Sequence, residues 1–194
     1  STGTPKGVMV PHRGVVNMLR GKAMQFATSY IGGWAFGIST AYVFDMFVRH
    51  LFVCLGMLGG TCLLLQDPME LLTISPTLAV TELGDVPSVL ALASIPHSVR
   101  HVDVGGEALT PAVLSNIGSH ICLYNSYGPT EASVNVTGRR VSTTAPVQRL
   151  SSIGRPLPNV TCYVVDTDAP TPTLQPIGVW GELWLGGVQV ARGY

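Results

Sequence analysis

Val99-Arg100-His101-Val102-Asp103-Val104-Gly105-Gly106-Glu107-Ala108-Leu109-Thr110-Pro111 reads as a strand, a glycine turn and the start of a helix. Val99 to Val104 is rich in β-branched residues, Gly105-Gly106 breaks the run, and Thr110-Pro111 has the chemistry of an N-cap followed by a first helical position. Ile121 to Asn125 is the next strand. Working toward the N-terminus, Val86 to Leu92 reads as a helix with Pro87 in its first turn. Leu71 to Ile74 and Thr61 to Leu65 read as strands, and Asp45 to Leu58 as a helix stopped by Gly59-Gly60. The aromatic, glycine-rich stretch Ser29 to Ser39 reads as a loop. Val15 to Met24 reads as a helix and Val8 to Val10 as a short strand. Strands alternating with helices up to about residue 130 predict an α/β fold, with parallel-sheet layers and flanking helices.

Beyond residue 133 the pattern changes. Val160–Asp166 and Trp180–Leu185 are β-rich, separated by turns, and Asp166 to Pro176 is a proline-rich surface loop. The expected division is an α/β part over 1–132 and an antiparallel β subdomain over 133–194 of the same domain.

Composition narrows the function. The chain has 194 residues, 46% hydrophobic and only 11% charged, which suits a segment set within a larger protein. Eleven basic and eleven acidic residues cancel, so no basic field exists to hold nucleic acid or an anionic membrane. Cys54, Cys62, Cys122 and Cys162 form no C-x-x-C pair and lie in apolar runs, which predicts free thiols in a reducing, cytoplasmic setting. The apolar segment Leu51 to Leu65 is too short to span a bilayer. The five histidines are scattered, with neither a metal pattern nor a hydrolase triad.

Five stretches could carry chemistry. Ser1 to Gly7 combines small hydroxyl residues, glycines and Lys6, which lets backbone N–H groups approach phosphate; an ordinary surface turn has the same composition. Gly105-Gly106-Glu107 lies where open α/β sheets bind ligands, and could equally be a tight turn. Asn125-Ser126-Tyr127-Gly128-Pro129-Thr130-Glu131 also follows a strand. Asn can read an adenine edge, Tyr127 can stack, Thr130 can bond phosphate, and Glu131 offers hard oxygen to Mg²⁺. Asp45 either answers the dipole of its own helix or serves as counter-ion to a substrate ammonium. Gly181 to Tyr194 reads as a hairpin with a structural role.

Taken together and in order, these stretches resemble the adenylation domains of nonribosomal peptide synthetases, enzymes of secondary metabolism in the ANL superfamily of AMP-forming ligases. STGTPKGVMVPHRGVVN, VFDMFVRHLFVCLGMLGGTCLLL, VGGEALTP, YNSYGPTEASV, IGRPLPN and GELWLGGVQVARGY carry the resemblance over essentially the whole chain.

The resemblance implies part of the large N-terminal subdomain of that fold. It implies that an acid attacks the α-phosphate of ATP, giving an acyl-adenylate and pyrophosphate, and that the acyl group passes to phosphopantetheine on a carrier domain. By motif position, Thr2, Thr4 and Lys6 would touch phosphates, and Gly106, Glu107 and Ala108 would lie along adenine. Asn125, Tyr127 and Gly128 would hold the base, Thr130 the α-phosphate, and Glu131 Mg²⁺. Asp45 would pair with a substrate α-ammonium, which resembles amino-acid activators more than aryl- or fatty-acid activators. Met46, Arg49, Thr73, Val102, Val104, Ser126 and Val134 would line the substrate pocket, with Arg49 favouring a polar or acidic side chain. Carrier and condensation domains are the implied partners. The family's Thr-Gly-Asp motif and the C-terminal subdomain with its catalytic Lys are absent from these 194 residues, and the connection from Gly60 to Thr73 is short for the family. The expectation is a fragment or truncated gene model, inactive in isolation. The alternatives are a fragment of a CoA ligase for aryl or fatty acids, or a non-catalytic remnant.

Overall fold

The computed structural model describes residues 7–27 and 32–194. Its helices and strands run α1 (His12–Ala27), β1 (Ala35–Ile38), α2 (Asp45–Phe52), β2 (Thr61–Leu64), β3 (Glu82–Asp85), α3 (Pro87–Leu90), β4 (His101–Gly105), α4 (Pro111–Asn116), β5 (Cys122–Tyr127), β6 (Thr137–Val141), β7 (Arg155–Pro156), β8 (Val160–Asp166), β9 (Thr173–Leu174) and β10 (Glu182–Gly187). Among the described residues a seven-stranded sheet has the order β2-β1-β3-β4-β5-β6-β7, and a three-stranded sheet the order β10-β8-β9. β1 to β5 pair in parallel, while β6, β7 and the small sheet are antiparallel. The fold is therefore α/β with a small antiparallel sheet. The large sheet continues through β6 and β7, and the small sheet begins with β8 at Val160.

Each face of the large sheet has its own core. Leu83, Val102, Val104 and Leu123 pack with Leu90 of α3 and Val113 of α4. Phe36 and Ile38 pack with Met18, Leu19 and Phe26 of α1 and with Met46 of α2. Phe26, Trp34 and Phe36 form a triangle with ring centroids 5.7–5.8 Å apart, a tilted and edge-on arrangement that suits the ring quadrupole. Alternation along β3 and β4 puts Glu82, Gly84, His101 and Asp103 on the side of α1 and α2, where Glu82, His101 and Asp103 are fully buried.

Three expected segments differ, and one strand lies where no element was expected. Ala35–Ile38 lies in the expected loop yet forms β1, because β2 and β3 supply its hydrogen bonds from both sides. Glu82–Asp85 has poor strand formers and becomes β3 only between β1 and β4. Leu71 to Ile74 is no strand. Asp67 accepts from the Met69 N–H at 2.6 Å and Pro68 follows, so a 3₁₀ turn forms over Pro68–Leu72. Val8 to Val10 joins neither sheet, although Met9 exchanges hydrogen bonds with Gly193 and Arg192 at 2.8 and 3.0 Å. The helix expected over 45–58 is α2 extended by a π-helical turn at Val53–Met57, and Gly59 stops it at φ +61°. No helix among the described residues is long and apolar enough to cross a membrane.

Candidate functional site

Two adjoining cavities open at the C-terminal ends of β4 and β5, where ligands bind open α/β sheets. The larger, about 400 Å³, is lined by Gly106 to Leu109, Asn125 to Pro129, Leu150, Ser151 and Ile153. The smaller, about 170 Å³, is lined by Phe44, Asp45, Met46, Thr130, Val134 and Asn135. The two share Gly106, Gly128 and Pro129.

The larger cavity owes its shape to backbone. Gly106 turns at φ +84°, and at Gly128 a Cβ would collide with the backbone of Val134 to Val136. The rim can therefore come close to a flat ligand. Asn125 is buried, and its amide N–H donates to the Ser152 carbonyl at 3.1 Å, tying β5 to the opposite wall. Tyr127 keeps 39% of its surface exposed, enough to offer a ring face. The Glu107 carboxylate accepts from the Ser88 N–H and hydroxyl, both at 3.1 Å, so it caps the first turn of α3 and presents mainly backbone to the cavity.

The smaller cavity joins Asp45 on α2 to Thr130. The Thr130 hydroxyl donates to Asp45 at 2.5 Å. Glu131 accepts from the Tyr194 hydroxyl at 2.6 Å, and this contact pushes the Tyr194 phenol upward in pKa. After Glu131, Ser133 and Val134 hold φ of +59° and +70°, backbone rarely populated by non-glycine residues. Gln189, fully buried, holds that turn. Its amide N–H donates to the carbonyls of Ala132 and Asn135 at 3.1 and 2.7 Å, and its own backbone carbonyl accepts from the Ser133 hydroxyl at 2.7 Å.

Under the cavities lies a buried ionic hub. Asp103 on β4 pairs with Lys22 of α1 at 2.5 Å and with Arg49 of α2 at 2.7 Å. The Ser126 hydroxyl donates to Asp103 at 2.6 Å and accepts from Lys22 at 2.8 Å, and Lys22 also reaches Gln25 at 3.0 Å. Arg49 further touches Asn135 at 3.5 Å and abuts the His50 ring. Burial pushes the Asp103 carboxyl up, but Arg49 and Lys22 together overcome it and hold the group well below the carboxylate range. Burial lowers Lys22, against the opposing pull of Asp103. Burial, then the Arg49 charge, keeps His50 well below its ordinary value and so neutral.

The structure brings together Gly106, Glu107, Ala108, Asn125, Ser126, Tyr127 and Gly128 around one cavity and Asp45, Met46, Thr130 and Val134 around the other. Arg49 is fully buried against Asp103. Val102 and Val104 turn into the opposite core, and Thr73 is exposed at the end of the 3₁₀ turn; none of these three lines either cavity. Thr2, Thr4 and Lys6 lie outside the described residues. Leu150, Ser151, Ile153, Asn135 and Gln189 were not singled out by sequence. Ile153 opens the IGRPLPN stretch and Gln189 sits in the final hairpin, so both lay inside motifs with no chemical signal of their own. Among the described residues no cluster of three or more His, Cys, Asp or Glu could hold a metal unaided, and the four cysteines are free.

A family model described as AMP-binding enzyme matches residues 1–194. The chain is 35% identical to a plipastatin synthase polypeptide of Bacillus subtilis, 39% to phosphinothricin tripeptide synthetase PhsB of Streptomyces viridochromogenes and 36% to tyrocidine synthase 3 of Brevibacillus parabrevis. Each match covers the whole chain, which spans 8%, 17% and 3% of those relatives. A crystal structure of a four-domain holo nonribosomal peptide synthetase bound to AMP and glycine superposes with a TM-score of 0.77 at 27% identity, covering all of this chain and 15% of that one.

Proposed function

The chain belongs to the AMP-binding enzyme family, and on that premise we propose that it forms the nucleotide and substrate face of an amino-acid adenylating enzyme in nonribosomal peptide synthesis. The observation that carries this is the pair of adjoining cavities, one walled by glycine backbone, Asn125 and Tyr127, the other holding the Asp45 carboxylate. A flat base fits the first and an ammonium the second, with Thr130 beside Asp45 in the second. The relatives are synthetases, and the similar structure binds AMP and glycine.

In this reading adenine lies along Gly106 to Ala108 and against Tyr127, with Asn125 at its edge. Asp45 exchanges its Thr130 partner for the substrate ammonium, which frees the Thr130 hydroxyl for the α-phosphate. The substrate carboxylate oxygen bonds to the α-phosphorus and the bond to the β-phosphate oxygen breaks, giving aminoacyl-adenylate and pyrophosphate. A phosphopantetheine thiol on a carrier domain then takes the acyl group and AMP departs. Condensation domains fit the same assembly. Glu131, whose carboxylate accepts from the Tyr194 hydroxyl, would hold Mg²⁺ together with substrate phosphates, and the ion would neutralise phosphate charge there. Thr2, Thr4 and Lys6 complete the phosphate contacts.

Calorimetry on this chain tests the reading. AMP binds, and Tyr127→Ala raises its Kd about ten-fold, the usual worth of one base stack. An aminoacyl-sulfamoyl adenosine outbinds its des-amino counterpart by about ten- to a hundred-fold, the range of a charge-assisted contact, and Asp45→Ala abolishes that ratio. A ratio near one in the unaltered chain favours an aryl- or fatty-acid ligase and defeats the amino-acid assignment.

A further inference from the structure

The geometry points to a small, uncharged α-amino acid as the substrate, of glycine to threonine size and with a hydroxyl favoured, an inference that rests on the Asp45 cavity being the amino-acid site.

Three observations converge. The first is volume. The Asp45 cavity holds about 170 Å³. At about 20–30 Å³ per non-hydrogen atom, near the liquid share of one water, that admits about six to eight atoms. Alanine, serine and threonine fit within that range, whereas leucine is borderline and phenylalanine far exceeds it.

The second is what fills the depth beneath. Gly84 on β3 leaves room under α2, and the chain occupies it with its own side chains: a Cβ at position 84 would collide with the His50 ring and press on Arg49. Asn135 on the cavity wall touches Arg49, so enlarging the cavity behind that wall means drawing Arg49 off Asp103 and leaving two buried charges apart, which is strongly unfavourable. The same pair answers the charge of Arg49 within the protein, so it does not call for an acidic substrate.

The third is the polar inventory of the walls. Asp45, Thr130 and Asn135 are the polar side chains lining the cavity, and the first two serve each other. Asn135 stands with Val134 and Met46 at the side-chain end, its Oδ1 toward Arg49 and its amide available to a hydroxyl. One hydrogen-bonding group among apolar neighbours selects a hydroxymethyl over a methyl by a few-fold.

Calorimetric titration of this chain with AMP and with seryl-, alanyl-, leucyl-, phenylalanyl- and aspartyl-sulfamoyl adenosine decides the matter. The seryl and alanyl probes bind at least ten-fold more tightly than the phenylalanyl probe, the seryl probe is tightest, and Asn135→Ala lowers the seryl-to-alanyl ratio. Equal or tighter binding of the leucyl or phenylalanyl probe overturns the size limit, and the aspartyl probe as the tightest overturns the neutral-substrate assignment. If AMP binds and no aminoacyl probe improves on it, the inference falls while the nucleotide site stands. If AMP and every probe fail to bind, the proposed function falls as well.

Discussion

Asp103→Ala destabilises the protein by about 3–5 kcal/mol, a third or more of the stability of an ordinary domain. The carboxylate is fully buried and is the shared partner of Lys22 and Arg49, so its removal leaves two cations without a counter-charge. Asp103→Asn preserves the size and the oxygen that accepts from Ser126 but removes the charge, and costs nearly as much. Combining Lys22→Met, Arg49→Leu and Asp103→Val recovers most of the loss, because an apolar replacement of similar volume carries no desolvation penalty. Urea denaturation measures all three. A cost below about 1 kcal/mol for Asp103→Ala would show that the hub is hydrated in solution, contrary to its burial between the sheet and the two helices.

Raising the pH from 6.5 to 8 lowers stability, and Glu82→Gln removes most of that fall. Burial lifts the Glu82 carboxyl from 4.5 to about 8, with Arg49 pulling it down and Asp103 pushing it up, and neither oxygen has a hydrogen-bond partner among the described residues. Between those two values the folded chain holds a proton that the unfolded chain has released, so folding is favoured at low pH and loses stability as pH climbs toward 8. At about 1.4 kcal/mol per unit the whole span is on the order of 4–5 kcal/mol. His101 works the other way. Burial lowers it from 6.5 to about 3, so it weakens the fold as pH drops below 6.5. His50, also held low by burial, acts in the same direction, so from 4.5 to 6.5 the two histidines oppose and outweigh Glu82 and the melting temperature does not fall with rising pH there. Lys22, Arg49 and Asp103 act on both groups, Arg140 acts on His101, and Cys54 and Cys62 feel the Glu82 charge. Thermal unfolding from pH 4 to 9 on the parent and on Glu82→Gln checks this. Identical profiles for the two proteins would remove Glu82 as the source.

How much was legible depends on whether the signal is local. The turn at Gly105-Gly106, the stop at Gly59-Gly60 and the helix start at Pro111 were readable because glycine and proline act on their own backbone, whereas Thr110 makes no side-chain capping bond. β1 and β3 were not. Glu82-Leu83-Gly84-Asp85 has little strand propensity and Ala35-Phe36-Gly37-Ile38 is short and broken by glycine, and both are strands because neighbours distant in sequence complete their ladders. The alternation His101-Val102-Asp103-Val104 said that one face of β4 is polar. That α1 and α2 cover this face, making its polar groups a buried ionic hub, was not in the alternation.

The candidate site divides along the same line. Sequence alone missed Leu150, Ser151 and Ile153 but determined the family resemblance, the parallel α/β plan and the walls of the larger cavity at 106–108 and 125–128. Those residues form contiguous stretches at strand ends, where backbone geometry places them together. The tertiary structure alone decided what Arg49 does. Its partner Asp103 lies on β4, and ion pairing follows from which side chains meet in space. A residue read as favouring a polar or acidic substrate is fully buried against Asp103, while Asn135, which it touches, lines the Asp45 cavity.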